Sequence, residues 1–99
     1  MTFVTTHPAM LTAAAGQLEC LGTAMTAQNE AIAAPTTGVI PAAADEVSAL
    51  TAALFTNHAR TYQAVSAQAA AIHEMLVRVL SASAGSYAIT EAANAAAAL

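Results

Sequence analysis

Between Pro8 and Gly85 the chain is interrupted once, at Pro35-Thr36-Thr37-Gly38-Val39-Ile40-Pro41, where two prolines and a glycine fall within seven residues. The runs on either side have the composition of helices. Alanine fills 30 of 99 positions, tryptophan is absent, and the β-branched residues are scattered instead of alternating. One break between two such runs predicts an all-α fold in which two helices turn back on each other as an antiparallel hairpin.

Pro8 opens helix 1, because the first helical position has no intrahelical use for the N–H that proline lacks. Leu11, Leu18, Met25 and Ile32 then recur at intervals of seven, and Ala14, Leu21 and Gln28 follow three residues after the first three, which makes a seam of heptad spacing. Gly22 costs about 1 kcal/mol of helix propensity and lets a second backbone come close. Asp45, with Ser48 three residues on, starts helix 2 near its positive end. Val47, Leu54, Phe55, His58, Tyr62, Val65, Ala69, Ile72, Leu76 and Val79 keep one side of helix 2 apolar. Gly85 is expected to end it in the left-handed conformation. The expected organisation is an arm at 1–7, helix 1 at 8–34, a loop at 35–44, helix 2 at 45–84 and a flexible tail at 85–99, whose alanine-rich stretch from Ala92 frays. A helix over 45–84 would be roughly 60 Å long at ~1.5 Å per residue, so the expected shape is a rod.

Only 8% of the residues are charged, against roughly 25% in an average soluble domain. Too few charges are present to cover the outside of a monomer, and a single seam buries less than the ordering of two long helices requires. The hairpin is therefore expected to complete a four-helix-type bundle with a partner chain. The expected partner interface comprises Leu11, Leu18, Leu21, Met25 and Ile32 from helix 1 with Leu54, Phe55, Tyr62, Val65, Ile72, Leu76 and Val79 from helix 2.

The net charge of -4 sets six carboxylates against Arg60 and Arg78 and repels phosphate backbones, which speaks against nucleic acid as a partner. Cys20 is alone and cannot form an internal disulfide. The first eight residues carry no Lys or Arg and no unbroken apolar run, so they do not read as a signal peptide. No run reaches the ~18 strongly apolar residues of a spanning helix.

Catalytic and metal-binding patterns fail on spacing. His73-Glu74 begins like a zinc-protease helix, but the second histidine would fall where Val77 stands. His58 and His73 would lie about 22 Å apart along one helix and cannot share a metal. No Glu-x-x-His pair, glycine-rich phosphate loop or nucleophile with an adjacent base occurs. Neither enzymatic activity, a metal, a cofactor nor a small-molecule substrate is expected. Asp45 and Glu46 diverge by about 100° on a helix and read as a helix-start charge. Tyr87 and Glu91 differ: at i and i+4 a phenol and a carboxylate stack on one face, where a receptor can read them.

The opening Met1-Thr2-Phe3-Val4, Pro8 at a helix start, the loop from Pro35 to Pro41, the run Ala43-Ala44-Asp45-Glu46-Val47-Ser48 and the late Tyr87/Glu91 pair together resemble the mycobacterial PE family. The resemblance covers essentially all 99 residues, as in a short member consisting of the PE domain alone. It departs at the Pro-Glu that names the family: Pro8 is followed by Ala9, which removes a helix-start charge worth about 0.3–1 kcal/mol. The resemblance implies a stable heterodimer with a PPE protein, exported folded by a type VII (ESX) secretion system and so secreted or at the cell surface without a cleavable signal peptide. It also implies a secretion signal of Tyr-x-x-x-Asp/Glu form, which here falls on Tyr87 and Glu91. Two other readings of the same apolar faces stay open, a membrane-surface amphipathic protein and a homo-oligomeric helical bundle.

Overall fold

The computed structural model describes residues 3–99; Met1 and Thr2 of the expected arm lie outside the described residues. The chain forms two α-helices, α1 (Pro8–Thr37) and α2 (Glu46–Ala97), with no strand among the described residues. This is the all-α two-helix hairpin expected. The helices pair in two compact units: one takes the chain up to Gly22 with His73–Leu99, the other Thr23–Ile72.

In the first unit, Leu11, Ala15, Leu18 and Gly22 of α1 and His73, Val77, Leu80 and Ala84 of α2 are buried or half-buried, at alternating steps of four and three. Such steps keep residues on one helix face. In the second unit the same spacing runs through Asn29, Ala33 and Thr36 of α1 and Ala52, Thr56, Ala59, Gln63, Ser66 and Ala70 of α2. Small and polar side chains dominate this inner face. Among the described residues the buried ones are Ala15, Ala52, Ala59 and Ala84.

Three polar contacts accompany the alanine faces. In the first unit the His73 Nε2 meets the Leu18 carbonyl oxygen. Gly22 makes the approach feasible, because a Cβ there would stand 2.7 Å from Cδ2 and 3.0 Å from Nε2 of His73. The close approach expected of Gly22 is thus made by an imidazole ring. In the second unit Asn29 is held twice: the Tyr62 hydroxyl donates to its Oδ1 at 2.8 Å, and the Gln63 amide donates to its backbone oxygen at 2.9 Å.

The helix boundaries differ from the expected 8–34 and 45–84. α1 continues through Pro35 to Thr37. The Thr36 hydroxyl donates to the Ile32 oxygen and the Thr37 hydroxyl to the Ala33 oxygen, both at 2.6 Å, while Gly38 N–H donates to Ala34 at 3.0 Å. The hydroxyls bond back onto carbonyls of the last turn, and the Gly38 N–H closes that turn. α2 begins where expected: the Ser48 N–H and hydroxyl donate to Asp45 Oδ1 and Oδ2 at 2.8 and 2.9 Å, an N-cap just before Glu46. These bonds hold the Asp45 carboxyl below its usual range.

The largest correction concerns the expected tail at 85–99. Gly85 does not terminate α2: it has no positive φ, and the helix runs on to Ala97. The propensity lost at one glycine is outweighed by the alanines that follow, and Glu91 is tied to the arm, as described below. A Cβ at Gly85 would meet nothing within 4 Å. Gly85→Ala is therefore expected to stabilise the helix by about 0.5–1 kcal/mol, read as a rise in the thermal unfolding midpoint. A fall would show that the glycine is needed for a close contact.

Candidate functional site

Apart from Leu11, Leu18, Val77 and Leu80 in the first unit, the large apolar side chains of the two helices do not line the inner face. In the second unit Leu50, Leu54, Phe55, Val65 and Ile72 of α2 are exposed, Phe55 at 64% and Ile72 at 68%. In the first unit Met75, Leu76, Val79 and Ile89 are exposed as well. Phe55, Tyr62, Val65 and Ile72 in the second unit, and Leu76 and Val79 in the first, each precede an inward-facing residue by one position, so in each unit they stand about 100° round the helix from the inner face.

The residues expected at a partner interface thus fall into two groups. Leu21, Met25, Ile32, Leu54, Phe55, Tyr62, Val65, Ile72, Leu76 and Val79 are exposed. Leu11 and Leu18 are half-buried within the chain's own pairing. The row that stays inward along α1 also steps by seven and lies four residues on, Ala15, Gly22, Asn29 and Thr36, so the row of Leu11, Leu18, Met25 and Ile32 runs along its edge, half-buried at Leu11 and Leu18 and exposed at Met25 and Ile32. Leu50, Met75 and Ile89 belong to the exposed set and were not among the expected residues; their apolar side chains at helical spacing were the available signal.

Near the connection between the helices, an apolar groove of about 290 Å³ is lined by Ile32, Pro35, Thr36, Val39, Phe55, His58, Ala59 and Tyr62. α1, continued to Thr37, contributes Ile32, Pro35 and Thr36 to its lining, and α2 contributes Phe55, His58, Ala59 and Tyr62. A large apolar side chain from another molecule fits such a recess.

At the other candidate site, α2 carries Tyr87 and Glu91 one turn apart. Tyr87 is 46% exposed, and its hydroxyl has no hydrogen-bond partner among the described residues. Glu91 is half-buried: its Oε1 accepts the Thr6 N–H at 2.8 Å and the Thr6 hydroxyl at 2.9 Å. The expectation of a free tail does not hold for this carboxylate. The backbone bond from Thr6, then its hydroxyl bond, and more weakly the nearby His7 lower the Glu91 pKa against a small opposing effect of burial. Because the folded value is depressed, the stabilisation from these bonds is complete above the ordinary carboxylate range and is lost as pH falls through the depressed value. Thr6 was missed from sequence because 85 positions separate it from Glu91 and no local pattern marks the contact.

Pro8 stands at the first position of α1, with the His7 carbonyl accepting Met10 N–H at 3.0 Å. Cys20 is exposed. Arg78 and Glu74 form an exposed pair at 3.6 Å, of the kind worth well under about 1 kcal/mol. Among the described residues no three His, Cys, Asp or Glu side chains cluster as metal ligands, and no helix is long and apolar enough to cross a membrane.

The chain is 62% identical over 98 residues to the PE family protein PE13 of Mycobacterium tuberculosis, an alignment covering 99% of both chains. It is 58% identical over 98 residues to PE8 and 57% over 96 residues to the PE-PGRS family protein PE_PGRS33, both of Mycobacterium tuberculosis. Those alignments cover 99% and 97% of this chain but 36% of PE8 and 19% of PE_PGRS33, so the matched region is a fraction of these longer relatives. A model of the PE family matches residues 4–94. By that match and by its identity to PE13, the two-helix chain with its outward apolar stripe belongs to the PE family.

Proposed function

We propose that the chain is a non-enzymatic interaction protein that forms a heterodimer with a PPE protein and is exported by a type VII secretion system, to be secreted or held at the cell surface. The observation that carries the pairing is the division of faces: alanines are buried inside, while Phe55, Ile72, Leu76 and Val79 face outward. Contiguous apolar stripes of this kind mark a surface made to be covered by another protein. The charge supports protein over lipid, since Arg60 and Arg78 are the sole Lys or Arg residues and provide no basic rim for anionic headgroups.

The export reading rests on Tyr87 and Glu91, one turn apart on one helix with a free phenol and a carboxylate. Co-expression with candidate PPE chains tests the pairing: a soluble one-to-one complex is expected with the cognate partner, and a stable monodisperse monomer of the chain alone would retire the need for one. Tyr87→Ala and Glu91→Ala are expected to leave that complex intact and to reduce its appearance outside mycobacterial cells by more than about tenfold. Undiminished export of both variants would remove the signal assignment and leave the pairing standing.

A further inference from the structure

Glu91 is not a side chain waiting in solvent. Both Thr6 bonds reach the same oxygen, Oε1, at 2.8 and 2.9 Å, and Oε2 has no hydrogen-bond partner among the described residues. An unheld glutamate on an exposed helix turns among many rotamers, and a receptor that needs one of them must order it on binding. Here the arm has already done so. The carboxylate is fixed through one oxygen and offered through the other, with the Tyr87 hydroxyl one turn away.

The same contact constrains the arm. Phe3 and Val4 are 82% and 90% exposed. Val4 is two residues from Thr6 and Phe3 three, and at ~3.3–3.6 Å per residue neither Cα can lie more than about 11 Å from that of Thr6. Two bare apolar side chains therefore stand within reach of a fixed carboxylate and a free phenol. Side-chain length matters too: aspartate at position 91 would draw the carboxylate back by about one C–C bond, ~1.5 Å, and lose both Thr6 bonds.

We propose that the surface read at Tyr87 and Glu91 is a composite of α2 and the arm at residues 3–7, with Thr6 as the positioning residue for Glu91. The partner it fits is a protein presenting a hydrogen-bond donor to Oε2 beside an apolar cleft for Phe3 and Val4. The proposal rests on the reading of Tyr87 and Glu91 as an export signal and adds to it a second, sequence-distant half.

The test uses the co-expressed complex and four variants. Thr6→Val removes the hydroxyl, Thr6→Pro removes both donors, Thr6→Ser restores the hydroxyl, and Glu91→Ala removes the acceptor. Export from mycobacterial cells is expected to fall about tenfold in Thr6→Val, further in Thr6→Pro, and to stay near wild type in Thr6→Ser, at equal yield of soluble complex. In parallel, the carboxyl titration of Glu91, followed by NMR on the complex, is expected to move up towards the ordinary range in Thr6→Val and Thr6→Pro and not in Thr6→Ser. Normal export of Glu91→Ala retires the signal reading and the composite with it. Blocked export of Glu91→Ala beside normal export of Thr6→Pro retires the composite alone. A Glu91 titration that Thr6→Pro leaves unmoved shows that Thr6 does not position the carboxylate, and overturns the proposal on independent grounds.

Discussion

Ile72→Asp is expected to abolish recovery of the proposed heterodimer while leaving the pairing of α1 with α2 in place. Ile72 is 68% exposed and stands on the outer stripe, so the charge remains hydrated in the free chain and becomes buried only when a partner covers it. A charge left unpaired in an apolar interface costs about 3–5 kcal/mol, more than a hundredfold in Kd. Co-purification of a tagged partner measures the loss. Leu18→Asp makes the contrast: its half-buried position lies on the inner face, and it should disrupt the chain's own helix pairing and lower yield before any partner is met. A complex retained by Ile72→Asp would mean that the partner covers another face.

The second large effect is expected at Gly22. In Gly22→Val the added atoms enter the space held by His73, whose Cδ2 lies 2.7 Å from the ideal Cβ position. The ring must turn away and give up the Leu18 carbonyl. Overpacking together with the lost hydrogen bond is expected to destabilise the first unit by about 1–3 kcal/mol, more than the ~0.3 kcal/mol of helix propensity that β-branched valine gains over glycine. At roughly 4–8 °C per kcal/mol for a domain of this size, thermal unfolding of the complex reads the change. Gly16→Ala is the control: nothing lies within 4 Å of a Cβ there, and that variant should be neutral or stabilised. Equal midpoints for Gly22→Val and wild type would show that His73 has a second place to go.

The hairpin was legible because one Pro- and Gly-rich break separates two alanine-rich runs, and the capping carboxylate of Asp45 was legible because capping is local. The faces were harder to read. Leu11, Leu18, Met25 and Ile32 were legible as a row of heptad spacing, but the row that stays inward along α1 is its neighbour, Ala15, Gly22, Asn29 and Thr36, whose small and polar side chains carry little hydrophobic signal. On α2 the large apolar residues mark the outer side, whereas the inner side of the second unit is alanine, threonine, serine and glutamine, which carry little hydrophobic signal. Gly85 was misread because a terminator and a tolerated helix glycine have the same letter; only the tether downstream distinguishes them. The Tyr87/Glu91 pair was visible as a spacing, whereas its link to Thr6 depends on tertiary contact that no local window holds.

An alanine face is smooth. Where small side chains dominate, as on the inner face of the second unit, sliding one helix along the other by a turn, ~5.4 Å, meets less resistance than between interlocking large side chains, so packing there specifies axial register weakly. The half-buried polar contacts supply what the methyl groups lack. Asn29 gripped by Tyr62 and Gln63 in one unit, and His73 on the Leu18 carbonyl in the other, are pegs that match at a single offset. A polar residue in an apolar seam commonly trades stability for register in this way. Within each unit the outward apolar side chains of α1 and α2 then keep one fixed offset for whatever covers them, and a shifted pairing would present a different pattern.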